Sequence, residues 1–124
     1  MIIPDINLLV YAHNSASRYH VAALEWFEAS LNGHEPIGIA WAVIFGFIRL
    51  LSNPRVVERP DRPGNLAELT SSWLDIPVVQ TITPGIRHLR IARELFANSG
   101  CTGQLTTDVH IASLAVELNG TVYS

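Results

Sequence analysis

The chain contains no lysine: all eight of its basic residues are arginine. A Walker-type phosphate loop needs its lysine, so that route to nucleotide chemistry is closed. Cys101 is the only cysteine, which excludes an internal disulfide and any multi-cysteine zinc centre and makes a reducing cytoplasm the expected compartment. Charged residues are scarce as well, at 15% against 48% apolar, below the roughly 25% of an average globular chain. Part of the surface is therefore expected to be covered by a partner or a second copy. A formal charge of -3 gives no overall attraction to nucleic acid, so any RNA contact must come from a local patch. The N-terminus lacks the basic flank and long apolar run of a signal peptide. The apolar stretch from Ile37 to Leu51 is interrupted by Gly38, Gly46 and Arg49, so no membrane span is expected.

At 124 residues the sequence predicts one domain, residues 1–124, with a core of its own. Residues 1–4 read as a short buried strand and 5–13 as a helix entered directly from it. A helix is predicted over 17–32, where Leu24, Phe27 and Leu31 share a face and Asn32-Gly33 provides the stop. Residues 35–39 suit a strand, and 41–51 a helix apolar almost all round. A proline-bearing polar loop over 55–64, expected to be mobile, leads to a helix over 65–73 and a strand over 76–80. Thr83-Pro84 looks like a cap followed by a first-turn proline, predicting a helix over 84–98 with Leu89, Ala92 and Phe96 facing inward. The last helix begins around Asp108, with Ile111, Leu114, Ala115 and Leu118 as its buried stripe, and 121–124 starts another strand. Strands alternating with helices predict an α/β fold with a parallel sheet covered on both faces.

Two aspartates stand out. Asp5 follows the first strand, and open α/β folds place their sites at that strand end. Asp108 follows two threonines at a helix start, where the dipole and free N–H groups favour negative charge. Together they offer hard oxygen ligands for Mg²⁺ or Mn²⁺. Response regulators and haloacid-dehalogenase-like phosphatases also place an aspartate after their first strand, but their sites use a lysine that is absent here. As single residues, Asp5, Asp108 and Thr107 read equally as helix caps, and Asn7 as a local backbone partner. The five histidines show no metal-ligand spacing, with His110 set apart only by being two residues from Asp108. Arg49 needs a carboxylate, a carbonyl, water or a phosphate. Arg87 and Arg90 read as a solvated face, and Trp26, Trp41 and Trp73 as core or interface residues.

Three segments carry a family resemblance. They are Ile3-Pro4-Asp5-Ile6-Asn7-Leu8-Leu9-Val10-Tyr11-Ala12, then Phe47-Ile48-Arg49-Leu50-Leu51-Ser52-Asn53-Pro54-Arg55-Val56, then Leu105-Thr106-Thr107-Asp108-Val109-His110-Ile111-Ala112. In order and spacing they resemble PIN-domain ribonucleases, most closely the toxins of bacterial VapBC toxin–antitoxin pairs. The resemblance implies a three-layer α/β/α domain and a Mg²⁺- or Mn²⁺-dependent endoribonuclease with Asp5 and Asp108 on the metal. Asn7 and Thr107 would orient those carboxylates, and Arg49 would contact phosphate. It further implies a homodimer, neutralised by a cognate VapB-like antitoxin, acting on RNA of the tRNA or rRNA class. Two departures stand against the pattern. Gly46 occupies the position, three before Arg49, where such toxins commonly carry a glutamate. The family continues past a segment like Gly120–Ser124 with a further acid and a final strand, so this sequence reads as truncated at its C-terminal end. The alternative expectation is a catalytically inactive PIN-like module that binds antitoxin or a second chain.

Overall fold

In the computed structural model, which describes residues 1–100 and 103–124, four parallel strands lie between helical layers. Cys101 falls outside the described residues. The first strand, β1 (Ile2–Pro4), is buried along its whole length, as a central strand of a parallel sheet must be. It passes directly into α1 (Ile6–His13), which is followed by α2 (His20–Leu31), β2 (Ile37–Ala40) and α3 (Trp41–Leu51). Next come α4 (Pro63–Leu74), β3 (Val79–Ile82), α5 (His88–Ser99), a 3-10 turn at Gly103–Leu105, α6 (Thr106–Leu118) and β4 (Thr121–Tyr123).

The strand order is β3-β2-β1-β4, with Ile2 paired to Ile37 on one side and to Thr121 on the other. The chain thus steps outward from β1 to β3 and returns to the far side of β1. Parallel crossovers are right-handed, so this reversal puts α5 and α6 on the face opposite α1 to α4. The packing agrees: α1 meets α2 and α3, α3 meets α4, and α5 meets α6. The result is the expected three-layer α/β/α arrangement. Its topological switch lies between β1 and β4, at the strand end that Asp5 occupies.

Several boundaries differ from the sequence expectation, each for a local reason. The second helix starts at His20 rather than 17, because Asn14 and Ser17 hydrogen-bond the following backbone and hold 14–19 in turns. β3 covers 79–82 rather than 76–80. Pro77 has no N–H to give a ladder, and 73–79 is wound into turns by Ile76 N–H to Trp73 O and Val79 N–H to Ile76 O. The fifth helix starts at His88, not Pro84, since the Glu117 carboxylate accepts the Gly85 N–H at 2.8 Å and holds that approach outside the helix. On its expected inner face only Ala92 is buried, while Leu89 and Phe96 are exposed, as is Leu118 in α6. The 55–64 loop is fastened at two points. Val57 is buried in the core, and Asp61 N–H donates to the Leu51 carbonyl at 3.0 Å.

Beneath α1 and α3 the core is aromatic. Phe47 lies 5.1 Å from the His13 ring and 4.9 Å from Trp73, and Phe27 lies 5.3 Å from Trp73. His13 Nδ1 is 2.7 Å from the Leu9 carbonyl; a carbonyl only accepts, so Nδ1 carries the proton. Burial disfavours the imidazolium and lowers the His13 pKa, an effect that the Leu9 bond opposes. The unfolded chain therefore binds a proton that the folded one refuses in the window just below about 6.5. Stability is expected to be full above that window and to fall as pH falls through it. Urea midpoints measured across this range should slope downward toward acid in the wild type and flatten in His13→Phe.

Candidate active site

Asp5 is the N-cap of α1, and its Oδ1 accepts the Leu8 N–H at 2.9 Å. Its own N–H donates to the Tyr123 carbonyl at 2.9 Å, which ties the end of β1 to β4. The capping expectation and the site expectation thus concern the same side chain. Capping uses one carboxylate oxygen in a half-buried position. Asp108 occupies the first turn of α6 and is exposed. Among the described residues no side chain caps that helix: its N-cap is Leu105, and the nearby threonine bond is from Thr106 Oγ1 to the Gly103 carbonyl at 2.7 Å. The reading of Thr107 as a cap is therefore corrected; its side chain is free to face the cavity.

These two helix starts meet. A cavity of about 180 Å³ is lined by Asp5, Ile6, Asn7, Arg49, Leu50, Thr107, Asp108 and Ile111, so all five side chains singled out in the sequence reach one place. The strand order makes this contact, because β4 returns beside β1 and draws the N-terminus of α6 to the same edge. Burial raises the Asp5 pKa above its ordinary value, and the Asp108 charge adds to the rise. Backbone N–H groups of Leu8 and Asn7 pull the other way. A half-buried carboxylate beside a second one is an unfavourable pair unless a cation joins it. The oxygen donors here, two carboxylates with a hydroxyl and an amide, suit a hard divalent ion. Among the described residues no third histidine, cysteine or carboxylate joins them in a metal-holding group.

The Gly46 departure has a physical counterpart. A Cβ at this position would lie 2.7 Å from Ile6 Cδ1, so the isoleucine next to Asp5 fills the space that a side chain at 46 would cross. Residue 46 thus contributes no carboxylate, and its small size lets α3 close onto α1.

Sequence reasoning missed one polar cluster. His88 Nε2 lies 2.9 Å from His110 Nδ1, and His88 Nδ1 lies 3.9 Å from Glu117, whose carboxylate also holds Gly85. His110 thus turns to α5 rather than to the acidic cavity. The partners are 22 residues apart, so no local spacing signals them. Of the three tryptophans, Trp73 is in the core and Trp26 lies against Tyr123, while Trp41 is 45% exposed on α3 and so is not a core residue of the single chain.

The PIN domain pattern matches residues 2–123. The chain is 38% identical to Ribonuclease VapC33 of Mycobacterium tuberculosis over 124 residues, covering 100% of this chain and 87% of that protein. The chain belongs to the PIN-domain family, among its VapC-type members. Among solved structures its fold is similar to Mycobacterium tuberculosis VapC20, a Sarcin-Ricin loop cleaving toxin. The TM-score is 0.73 at 13% identity, with 100% of this chain and 88% of that one covered. A chain of VapBC2 from Rickettsia felis, bound to a DNA fragment from its promoter, matches with a TM-score of 0.65 at 19% identity, covering 100% and 86%. Among the described residues no helix is long and apolar enough to cross a membrane.

Proposed function

We propose that this chain is a divalent-metal-dependent endoribonuclease, the toxin of a type II toxin–antitoxin pair, inhibited by a cognate VapB-like antitoxin. One observation carries the reading: Asp5 and Asp108, from opposite ends of the sequence, line one small cavity together with Asn7, Arg49 and Thr107. The names of the relatives, ribonucleases of the VapC type, support the same class of reaction. Asp5 and Asp108 would hold Mg²⁺ or Mn²⁺, with Thr107 and Asn7 orienting the carboxylates. Such an ion, when bound, lowers the pKa of water and neutralises charge on a phosphodiester undergoing attack. The chain's own contribution is to present two carboxylates at two helix N-termini and to aim the Arg49 guanidinium at a phosphate oxygen. RNA of the tRNA or rRNA class is the proposed substrate, cytoplasmic and met by a homodimer.

A second reading has its own observation. Only two carboxylates gather at the cavity among the described residues, and Ile6 covers Gly46. That favours an inactive module which keeps antitoxin binding or dimerisation. Calorimetric titration of Mn²⁺ into the purified chain, with cleavage of bulk tRNA and rRNA followed on the same sample, separates the two. The nuclease reading expects saturable binding and cleavage that stops on chelation. A folded chain that takes up no Mn²⁺ and leaves RNA intact would decide for the module.

A further inference from the structure

α3 carries two large aromatic rings on the outside of the molecule. Phe45 is 65% exposed and Trp41 is 45% exposed, whereas Phe47, two residues on, is fully buried. Neither exposed ring packs against another aromatic ring among the described residues; the ring pairs of the domain lie elsewhere. Trp41, Phe45 and Arg49 follow each other at i, i+4 and i+8, which puts them on one side of the helix at steps of about 6 Å. The third member of this row lines the acidic cavity with Asp5 and Asp108. The Arg49 carbonyl accepts from the Ser52 hydroxyl at 3.3 Å, but its guanidinium makes no ion pair or hydrogen bond among the described residues, so its charge is available. The row therefore runs from an open cation at the candidate site to two open π-faces beyond it.

We propose that Trp41 and Phe45 form a stacking surface for unpaired RNA bases next to the cleaved bond, with Arg49 taking the intervening phosphate. The inference rests on the nuclease reading of the cavity and extends it to how the substrate is held. Three physical points favour RNA as the occupant. Every base offers a π-face, and stacking on an exposed aromatic is tolerant of sequence. A free guanidinium complements a phosphate rather than an apolar surface. The row is continuous with the cavity, so a strand whose phosphate sits at Arg49 must pass along the rings in one direction. The two rings are positioning residues, since they touch bases and not the reacting atoms.

The test uses the full chain in a chelating buffer, where binding is read without cleavage. The probes are a short, unstructured, fluorescein-labelled RNA and an abasic strand of the same length. Trp41→Leu and Phe45→Leu keep an apolar side chain and remove the stacking face. Each is expected to weaken RNA binding by about 5- to 150-fold, with Phe45→Tyr retaining wild-type affinity. The abasic strand should bind wild type about as weakly as the RNA binds the double leucine variant, and should be indifferent to the substitutions. Unchanged RNA affinity in both leucine variants overturns the proposal. So does a loss of self-association by sedimentation with RNA binding intact, which would make this face a contact between two copies. Base-dependent binding by a wild type that cleaves nothing with Mn²⁺ would uphold the stacking surface and reject the nuclease reading alone.

Discussion

Asp5→Asn is expected to abolish cleavage and, in metal-free protein, to raise stability. Asparagine caps a helix about as well as aspartate, so the bond now made to the Leu8 N–H has a replacement and α1 keeps its start. What disappears is a charge held where burial and Asp108 both oppose it. The sign follows from linkage. The Asp5 pKa is raised in the folded state, so between the unfolded value and the folded one the native protein binds more protons than the unfolded chain. That stability is complete below the unfolded pKa and is lost as pH rises through the folded one. At neutral pH the wild type has lost it and the asparagine variant has nothing to lose. Thermal unfolding in chelating buffer should therefore give Asp5→Asn the higher Tm. Added Mn²⁺ should reverse the order, because a ligand at a hundred times its Kd stabilises the native state by about 2.7 kcal/mol, and only the wild type keeps both carboxylates. Cleavage should drop by about a thousandfold or more, the scale of losing several kcal/mol of charge stabilisation at phosphate. An equal Mn²⁺-induced shift in both proteins, or retained cleavage in the variant, would remove Asp5 from the metal.

That opposing behaviour of stability and chemistry is what a site built on like charges should show. Asp5 serves the fold through its backbone contacts, with Leu8 through Oδ1 and with Tyr123 through its N–H. Its charge would serve only the proposed chemistry. Asp108→Asn removes the other member of the pair and should relieve part of the same strain, so the two substitutions are not additive in metal-free stability.

The parts of this molecule that were legible in the sequence are those fixed by short-range pattern. The β1–α1 junction, the 41–51 helix and the final β4 follow from apolar runs ended by Pro, Asn or Gly, and the structure reproduces them within a residue or two. The meeting of Asp5 with Asp108 was legible from their places at a strand end and a helix start and from the motifs, but not from short-range pattern, because it depends on β4 returning beside β1. Where a distant group competes with a local signal, the local signal misleads. Thr83-Pro84 is a good helix start on its own, yet Glu117, 32 residues further along, takes the Gly85 N–H and delays the helix to His88. The exposure of Trp41 and Phe45 was hidden for a different reason. A helix apolar nearly all round offers no periodicity from which to choose a buried face, and only tertiary packing makes the choice.

That choice makes the Phe45-Gly46-Phe47 segment the sharpest test of the core. Phe47→Ala is expected to cost about 3–5 kcal/mol, while Phe45→Ala, on the opposite side of the same turn, should change stability by less than about 0.5 kcal/mol. Phe47 is wholly buried and shares edge contacts with the His13 and Trp73 rings at 5.1 and 4.9 Å. Truncating it leaves a cavity between α1, α3 and α4 that stiff neighbouring rings cannot refill. Against a net stability of about 5–15 kcal/mol for a domain, that loss is large. It also reaches the site, because the same helix seats Gly46 against Ile6 and carries Arg49 and Leu50 into the acidic cavity. Urea unfolding should show a lower midpoint at unchanged slope for Phe47→Ala, and Mn²⁺ binding at low temperature should weaken as α3 shifts. Phe45→Ala should unfold like the wild type and bind Mn²⁺ normally. Comparable destabilisation by the two substitutions would mean that Phe45 is covered in solution, with α3 forming a contact that the isolated chain leaves open.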